Sequence, residues 1–401
     1  MVSMFFNSPF AVLLAFIAAF AIVYTATPTI VFVADAKKLY DVPGKRKAHK
    51  KSVPILGGIA IFSAVLISCG IFSKSSLYPE FYYVAIASIV LFFVGLKDDI
   101  LIIAPLKKLI GQIFASLIII VLADLRFTNL HGFLGIHHLI YPYSFILTMF
   151  VLIVIINGVN LIDGIDGLAS GVGILASLIF GTFFYLNGNY GYAVLAASLL
   201  GSLISFFGFN VFGKKNKIFM GDSGSLLVGL FLAILAIKFN EMNINPGDLK
   251  FFVHSAPAVS FGILIIPLFD TLRVFTIRIL SGKSPFSADS NHVHHKLLAL
   301  GFSHLKATLI ILAVNAFISG IVIYYNVVGI VKLMFFIFLM ASLFSILPEL
   351  LYKRKNRDIV VVMTWFRHRF RVNKAPAEPK VKKNNTIIKQ ISVHNERVPS
   401  N

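Results

Sequence analysis

The chain has 401 residues, of which 58% are hydrophobic, 13% are aromatic and only 13% are charged. A soluble globular chain carries about 25% charged residues, so this composition excludes a soluble enzyme, a disordered chain and a disulfide scaffold. The formal net charge is +19, and the chain has one cysteine, Cys69, which cannot form an intrachain disulfide.

Apolar stretches long enough to cross a bilayer recur along the chain. A spanning helix needs about 20 mostly apolar residues. By this criterion we predict eleven spans, at residues 8–33, 53–73, 80–96, 103–123, 143–160, 168–186, 191–211, 224–239, 252–270, 307–325 and 328–348. The expected fold is an all-α, polytopic integral membrane protein with about eleven transmembrane helices. We expect one transmembrane domain over 1–348 and a basic, partly disordered tail over 349–401.

The basic residues predict the orientation of these spans, because cytoplasmic loops are rich in Lys and Arg. With the N-terminus outside, 31 of the 36 basic residues fall in cytoplasmic loops or in the tail, whose end is then cytoplasmic too. The other five are Lys74, Arg126, Lys238, Lys250 and Lys332. The net charge is therefore interpreted as a topology signal, and no nucleic-acid partner is expected.

Five polar clusters interrupt the apolar pattern, and the predicted topology places all five on the cytoplasmic side. The first is Asp98-Asp99, directly after the third span. Adjacent carboxylates repel each other, and a nearby cation relieves that repulsion. The pair is a candidate site for Mg²⁺ or for a proton, although an ordinary acidic helix end has the same sequence.

The second cluster has a polar residue at every third position. Its members are Asn157, Asn160, Asp163 and Asp166. On an ideal α-helix, steps of three residues would spread these side chains over half of the circumference. Gly164 and Gly167 predict that the helix ends here, which would let the side chains converge. The alternative is a polar turn between two spans.

The third cluster comprises Asn210 and the segment from Phe219 to Ser225, where a basic loop meets the next span. Backbone amides freed by glycine at a helix N-terminus suit a phosphate. The carboxylate of Asp222 suits a hard cation. Because Gly-Asp-Ser-Gly is also an ordinary helix start, the pattern alone leaves both interpretations open.

The fourth cluster is Ser284-Pro285-Phe286-Ser287 followed by His292, His294 and His295. No cysteine or carboxylate set completes a tetrahedral zinc site here. Contacts with phosphate or substrate are therefore favoured over zinc and over a surface histidine cluster.

The fifth cluster is a basic loop that contains Arg46 and His49 and is followed by Pro54, Gly57 and Gly58. Anchoring by positive charge on the cytoplasmic side explains the basic residues of this loop. It does not explain the proline and the glycines.

These motifs occur in the same order and loop positions in the polyprenyl-phosphate N-acetylhexosamine-1-phosphate transferases. The chain resembles this superfamily over about residues 34–303, through Asp98-Asp99 and the runs NGVNLIDGIDGLASG, FMGDSGSLLVG and HVHH. It is most similar to the bacterial undecaprenyl-phosphate N-acetylglucosamine-1-phosphate transferases, which start cell-envelope glycans such as the lipopolysaccharide O-antigen. The resemblance implies transfer of N-acetylhexosamine-1-phosphate, with GlcNAc favoured, from a UDP-sugar to undecaprenyl phosphate, with release of UMP.

The resemblance also implies roles for the clustered residues. The expected ligands of Mg²⁺, for which Mn²⁺ could substitute, are Asp222 and Asn160. Asp98 and Asp99 would act at the lipid-phosphate acceptor, as a base or as a nucleophile. The residues expected to counter phosphate charge are Lys108, His292, His294 and His295. Asp166, Asn210 and Phe219 would hold the uracil. The remaining substrate-binding candidates are Asn157, Asp163, Arg46 and His49.

One stretch departs from the superfamily pattern, since many relatives place Pro-Ala a few residues before FMGD and this chain has Gly213-Lys214-Lys215-Asn216.

The alternative activity is the UDP-MurNAc-pentapeptide transfer of peptidoglycan synthesis. A transporter is disfavoured, because a carried ion needs a site near the bilayer midplane with access from both faces. The expected location is the bacterial cytoplasmic membrane, with the active site on the cytoplasmic face. The resemblance leaves a homodimer open.

Overall fold

The computed structural model describes residues 9–41, 53–73, 78–101, 103–280, 282 and 292–371. The chain divides into two compact units, residues 1–353 and 354–401. The helices in chain order are α1 Pro9–Lys37, α2 Gly57–Phe72, α3 Phe81–Leu101, α4 Pro105–Leu117, α5 Tyr141–Ile162, α6 Leu168–Leu186, α7 Tyr190–Phe207, α8 Gly221–Met242, α9 Ala256–Ile263, α10 Ile265–Leu280, α11 Val293–Ala299, α12 His304–Tyr324 and α13 Ile330–Arg371.

The remaining elements are short. Strand β1 (Tyr40–Asp41) pairs antiparallel with β2 (Val53–Pro54), and β3 (Asn129–Phe133) pairs antiparallel with β4 (Ile136–His138). Single π-helical turns, Ile118–Leu122 and Gly208–Phe212, extend α4 and α7, and 3₁₀ turns lie at Pro246–Asp248 and Asn326–Val328. The part of the chain that the structure describes is therefore helical apart from two small strand pairs.

The apolar helices confirm the predicted fold class. Eight of the described helices are long and apolar enough to cross a membrane, and α9 with α10, bent by 80° at their junction, would make a ninth. Helices α2 and α3 occupy two further predicted segments. A helix thus lies in each of the eleven predicted segments, and the chain is an all-α polytopic membrane protein. The number of spans and their orientation stay predictions.

Helix α8 lies at the centre of the first unit. In its most apolar stretch 89% of the residues are buried, against 28% in α1. Helices α2, α3, α5 and α6 pack directly on it. Glycines allow the close approach: Gly229 of α8 meets the backbone of Ile156, and Gly95 of α3 meets the backbone of Ser223. This packing places the polar start of α8 beside the polar end of α3.

The segment after β2 runs alongside the residues that precede α8. The Phe219 amide donates to the Pro54 carbonyl at 2.8 Å, and the amides of Gly57 and Gly58 donate to the carbonyls of Phe219 and Met220 at 2.9 Å. A Cβ atom on Gly57 would lie 2.6 Å from the Phe219 carbonyl oxygen. Close backbone packing therefore explains Gly57 and Gly58, which charge anchoring did not, whereas Pro54 contributes only its carbonyl.

Arg46, His49 and the Ser284–Ser287 segment lie outside the described residues. Their predicted contacts with substrate stay predictions. In the second unit, residues 354–371 are helical.

Candidate functional site

Polar side chains from α3, α4, α5 and α8 meet at the ammonium group of Lys108. Its Nζ lies 2.6 Å from Asp222 Oδ2, 3.2 Å from Asp98 Oδ2 and 3.3 Å from Asn160 Oδ1. The Asn160 amide also donates to the other Asp222 oxygen and to Ser225 Oγ. The Lys108 side chain is only 15% exposed, so little water screens these charges. We call Lys108, Asp98, Asn160 and Asp222 the Lys108 cluster.

The local sequence explains how this cluster forms. Pro105 starts α4, a position where its missing N–H costs nothing, and this puts Lys108 in the first turn. The chain reverses between α3 and α4, where Asp98 Oδ1 accepts a hydrogen bond from the Ile103 amide at 2.7 Å. Helix α8 starts at Gly221, three residues earlier than predicted, so Asp222 lies in its first turn.

Asp99, the other member of the acidic pair, binds the start of α8. Its carboxylate accepts hydrogen bonds from the Asp222 amide at 2.7 Å, the Ser223 amide at 3.0 Å and the Ser223 hydroxyl at 2.6 Å. The sequence left open whether these first-turn amides bind a phosphate or only start the helix. For Asp222 and Ser223 the structure favours the helix start, because a carboxylate from α3 accepts hydrogen bonds from both amides.

Oxygen donors suited to a hard cation converge in the Lys108 cluster. They are the carboxylates of Asp98 and Asp222 and the side-chain oxygen of Asn160. No group of three or more His, Cys, Asp or Glu within the described ranges is arranged to hold a metal ion. Mg²⁺, however, is commonly bound by one or two carboxylates together with substrate phosphates. The side-chain oxygens of Asp222 and Asn160 are therefore of the type that can bind Mg²⁺ or Mn²⁺.

Asp163 lies in the turn that follows α5. Burial raises the pKa of its carboxyl well above its usual range, and the negative charges of Asp222, Asp99 and Asp166 raise it further. Asp163 is therefore within electrostatic range of the acidic side chains of the site. A cation bound among these carboxylates would relieve the repulsion between them.

A second polar group surrounds Asp166. Its Oδ2 lies 2.7 Å from Lys217 Nζ, which lies 5.8 Å from the centroid of the Phe219 ring. Asn210 Oδ1 accepts a hydrogen bond from the Gly167 amide at 2.7 Å, next to Asp166 in the chain. The structure thus brings together the three residues predicted to hold the uracil. Although Pro-Ala is absent from this stretch, Asn210 still reaches the turn after α5.

Asn157, which was predicted to bind substrate, pairs with a side chain of α4. Its amide exchanges two hydrogen bonds with the amide of Gln112, at 2.6 and 3.1 Å. Gln112 is only 1% exposed. The second cluster therefore does not converge on one point: Asn160 joins the Lys108 cluster, whereas Asn157 lies in the α4–α5 interface.

The histidine segment is held by Asp270 of α10. Its Oδ2 lies 2.8 Å from His292 Nδ1. His294 is buried against Gly164 of the turn after α5, and its Nε2 has no hydrogen-bond partner among the described residues. Burial lowers the pKa of His294 to about 3, and the charge of His295 lowers it too. Burial thus favours the neutral form of His294, and its predicted contact with phosphate stays a prediction.

Sequence reasoning missed several residues that organise the site. Gln112 and Asp270 are polar side chains inside or at the end of apolar runs, and that position was an available signal. Lys217 was interpreted only as one of the basic loop residues. Ser223 belongs to the third polar cluster, but the sequence assigned it no role, because that role depends on the neighbouring helix α3.

Comparisons with known proteins agree with the motifs. The model of glycosyl transferase family 4 matches residues 81–240. The chain is 31% identical to a decaprenyl-phosphate N-acetylglucosaminephosphotransferase of Mycobacterium leprae, over 76% of this chain and 82% of that protein. It is 29% identical to an undecaprenyl-phosphate alpha-N-acetylglucosaminyl 1-phosphate transferase of Salmonella typhi, over 73% of this chain and 80% of that protein. The Escherichia coli K12 protein with the same description is 27% identical, over 72% of this chain and 77% of its own length.

Proposed function

The chain belongs to glycosyl transferase family 4, and we propose that it transfers N-acetylglucosamine-1-phosphate from UDP-N-acetylglucosamine to undecaprenyl phosphate, with release of UMP. The names of the Salmonella and Mycobacterium relatives combine N-acetylglucosamine with a polyprenyl phosphate. The observation that carries the proposal is the Lys108 cluster. It joins a fixed ammonium group to two carboxylates at the polar ends of apolar helices. An ammonium group can counter phosphate charge, and carboxylates can hold a cation that does the same.

In this reaction an oxygen of the lipid phosphate attacks the sugar-bearing phosphorus of the UDP-sugar. The bond from that phosphorus to the bridging oxygen breaks, and UMP leaves with the bonding electron pair. Because the charge is spread over phosphate oxygens, catalysis depends mainly on positioning and on charge neutralisation. Lys108, fixed by Asp98 and Asp222, provides a positive charge in a site with little water.

We assign Asp222 and Asn160 as the residues that hold Mg²⁺, or Mn²⁺ in its place. A bound ion supplies additional neutralisation of the diphosphate charge. The Asn160 amide orients the Asp222 carboxylate by a hydrogen bond, and Asp99 holds the Asp222 backbone. Burial and the nearby carboxylates raise the pKa of Asp163, in the turn after α5, so a cation bound among these groups would favour its ionised form.

The group around Asp166 is assigned to the nucleotide. The half-buried ring of Phe219 offers a stacking surface for uracil, and Asp166 offers a carboxylate acceptor for its N–H group. Asn210 acts by holding the Gly167 amide, which keeps the turn carrying Asp166 in place.

We further propose that this site faces the cytoplasm in the bacterial cytoplasmic membrane. The distribution of basic residues supports this orientation, since the predicted topology puts 31 of 36 on the same side as the polar clusters. Lys214 and Lys215, in the loop before α8, are exposed close to the start of that helix. A UDP-sugar made in the cytoplasm would then reach the site directly.

The test is an assay of the purified full-length protein with undecaprenyl phosphate and one UDP-sugar at a time. The panel contains UDP-GlcNAc, UDP-GalNAc, UDP-glucose and UDP-MurNAc-pentapeptide, and both UMP and the lipid-linked product are measured. We expect UDP-GlcNAc to give the highest kcat/KM. UMP release with UDP-MurNAc-pentapeptide alone, or with none of the donors, would refute the proposal.

A further inference from the structure

A pair of side-chain amides lies one helical turn from the Lys108 cluster. Gln112 Nε2 donates to Asn157 Oδ1 at 3.1 Å, and Asn157 Nδ2 donates to Gln112 Oε1 at 2.6 Å. Asn157 Nδ2 also donates to the Ile153 carbonyl at 2.8 Å. Gln112 is 1% exposed and Asn157 is partly buried. The buried Gln112 amide therefore depends on Asn157 for the hydrogen bonds of both its oxygen and its nitrogen.

The pair shares its two helices with the reactive groups. Gln112 follows Lys108 by four residues on α4, and Asn157 precedes Asn160 by three residues on α5. Residues three or four apart lie on the same face of a helix. The α4–α5 interface therefore has two cross-helix contacts in register: Gln112 with Asn157, and Lys108 with Asn160.

The reciprocal geometry restricts how α4 can sit against α5. Both amide planes must face each other for the two hydrogen bonds to form together. A rotation of α4, or a slip along α5, would break both bonds and leave the buried Gln112 amide without these partners. Lys108 has a flexible stem of four carbons and cannot by itself determine where its helix lies.

We propose that Gln112 is a positioning residue for the transfer reaction: paired with Asn157, it holds α4 in the register that places Lys108 Nζ against Asp98, Asn160 and Asp222. The proposal rests on the proposed function. It also assigns Asn157, predicted to bind substrate, to the same positioning role. A misplacement of about 1 Å in an active site can cost about 100-fold in rate.

The decisive experiment is a double-mutant cycle in the full-length protein, using Gln112→Ala, Lys108→Met and the double variant. We expect Gln112→Ala to lower kcat by about 10- to 100-fold. In the Lys108→Met background the same change should have almost no further effect, because no ammonium group is left to position. The proposal would be overturned if the two fold-reductions in kcat of the single variants multiply in the double variant. An unchanged kcat in Gln112→Ala would overturn it too.

Two further variants separate positioning from a general loss of stability. Asn240 is a buried amide at the far end of α8, where it donates to Ser260 Oγ at 2.9 Å. Asn240→Ala should lower Tm while kcat stays close to that of the wild type. The exchange Gln112→Asn with Asn157→Gln keeps the summed length of the two side chains. This double exchange should restore most of the kcat that is lost in Gln112→Asn alone. It tests the positioning role even if Gln112→Ala does not fold.

A readout that needs no turnover separates this proposal from the proposed function. The rate at which an amine-acylating reagent modifies Lys108 can be followed by mass spectrometry. We expect faster modification in Gln112→Ala than in the wild type, and no change in Asn240→Ala. Equal rates in all three proteins would refute the positioning role, even if the wild type releases UMP. A wild type that releases no UMP, but shows this difference in modification, would refute only the proposed function.

Discussion

The carboxylate of Asp99 accepts two hydrogen bonds from Ser223, from its amide at 3.0 Å and from its hydroxyl at 2.6 Å. A third bond, from the amide of Asp222, is 2.7 Å long. A carboxylate at the N-terminus of a helix satisfies free N–H groups and interacts favourably with the helix dipole. Asp99 of α3 thus serves as the cap of α8 and fixes the backbone that carries Asp222.

The first prediction concerns this cap. Asp99→Asn leaves a single acceptor oxygen and no charge, so the start of α8 should lose about 1 kcal/mol of capping stabilisation. We expect kcat to fall by about 10-fold or more, with a smaller change in UDP-GlcNAc affinity. Ser223→Ala, which removes only the hydroxyl bond, should have a weaker effect. Steady-state kinetics measure kcat, and titrations with UDP-GlcNAc measure its affinity. An unchanged kcat with weaker binding of UDP-GlcNAc would contradict the assignment of Asp99 as the cap of α8.

The second prediction concerns the metal. A carboxylate that binds the ion supplies several kcal/mol of charge stabilisation, so Asp222→Asn should lose at least ~100-fold in turnover. EDTA should abolish UMP release by the wild type, and added Mg²⁺ or Mn²⁺ should restore it. Asp248→Asn, at an exposed position in the loop after α8, is the matched control and should behave like the wild type. Full activity in EDTA would exclude a metal-dependent mechanism.

The third prediction separates direct transfer from a covalent intermediate. Asp98 is already bound by Lys108 and by the Ile103 amide, which makes it a poor nucleophile toward a negatively charged diphosphate. The acceptor phosphate has a second pKa of about 6, so at pH 7 it is mostly a dianion and needs little activation. We therefore expect UMP to appear only after undecaprenyl phosphate is added. Rapid-mixing assays of lipid-free enzyme with UDP-GlcNAc provide the check, and a stoichiometric burst of UMP there would favour a phospho-enzyme.

The fourth prediction concerns topology. Single cysteines at Lys214 and Lys250, both exposed, should differ in labelling by a membrane-impermeant thiol reagent applied to intact cells. Only the Lys250→Cys protein should react, because Lys214 belongs to the basic side of the chain. The native Cys69 is 0% exposed, so its background should be low. Labelling of Lys214→Cys in intact cells would reverse the orientation and the proposed location of the site.

The fifth prediction concerns His294. Burial is the main reason that the pKa of His294 is lowered to about 3, and the charges of His295, His292 and His304 lower it too. The carboxylate of Asp270 has the opposite effect. Between pH 3 and about 6.5 the unfolded chain binds a proton here that the folded protein does not, so acid weakens folding. We expect the Tm of the wild type to fall relative to that of His294→Asn between pH 7.5 and pH 5. Tm is measured in detergent as a function of pH for both proteins. If the two Tm curves are parallel, His294 is not held neutral.

Much of the fold was readable from local sequence. The eleven apolar segments are helical because each satisfies its own backbone hydrogen bonds, which depends on residues close in the chain. The residues at the helix ends were readable too, since Asp98, Asn160 and Asp222 are polar where apolar neighbours make them costly. The structure brings these three side chains together at Lys108, and their roles stay predictions.

The tertiary structure alone decided which side chains are partners. Asp98 and Asp99 are adjacent in sequence, yet one joins Lys108 and the other caps α8. Asn157 and Asn160 belong to one motif, yet only Asn160 enters the charged cluster, because Gln112 of α4 lies opposite Asn157. Helix formation depends on contacts within one segment, whereas these pairings depend on which helices pack together and in which register, and local sequence does not contain that information.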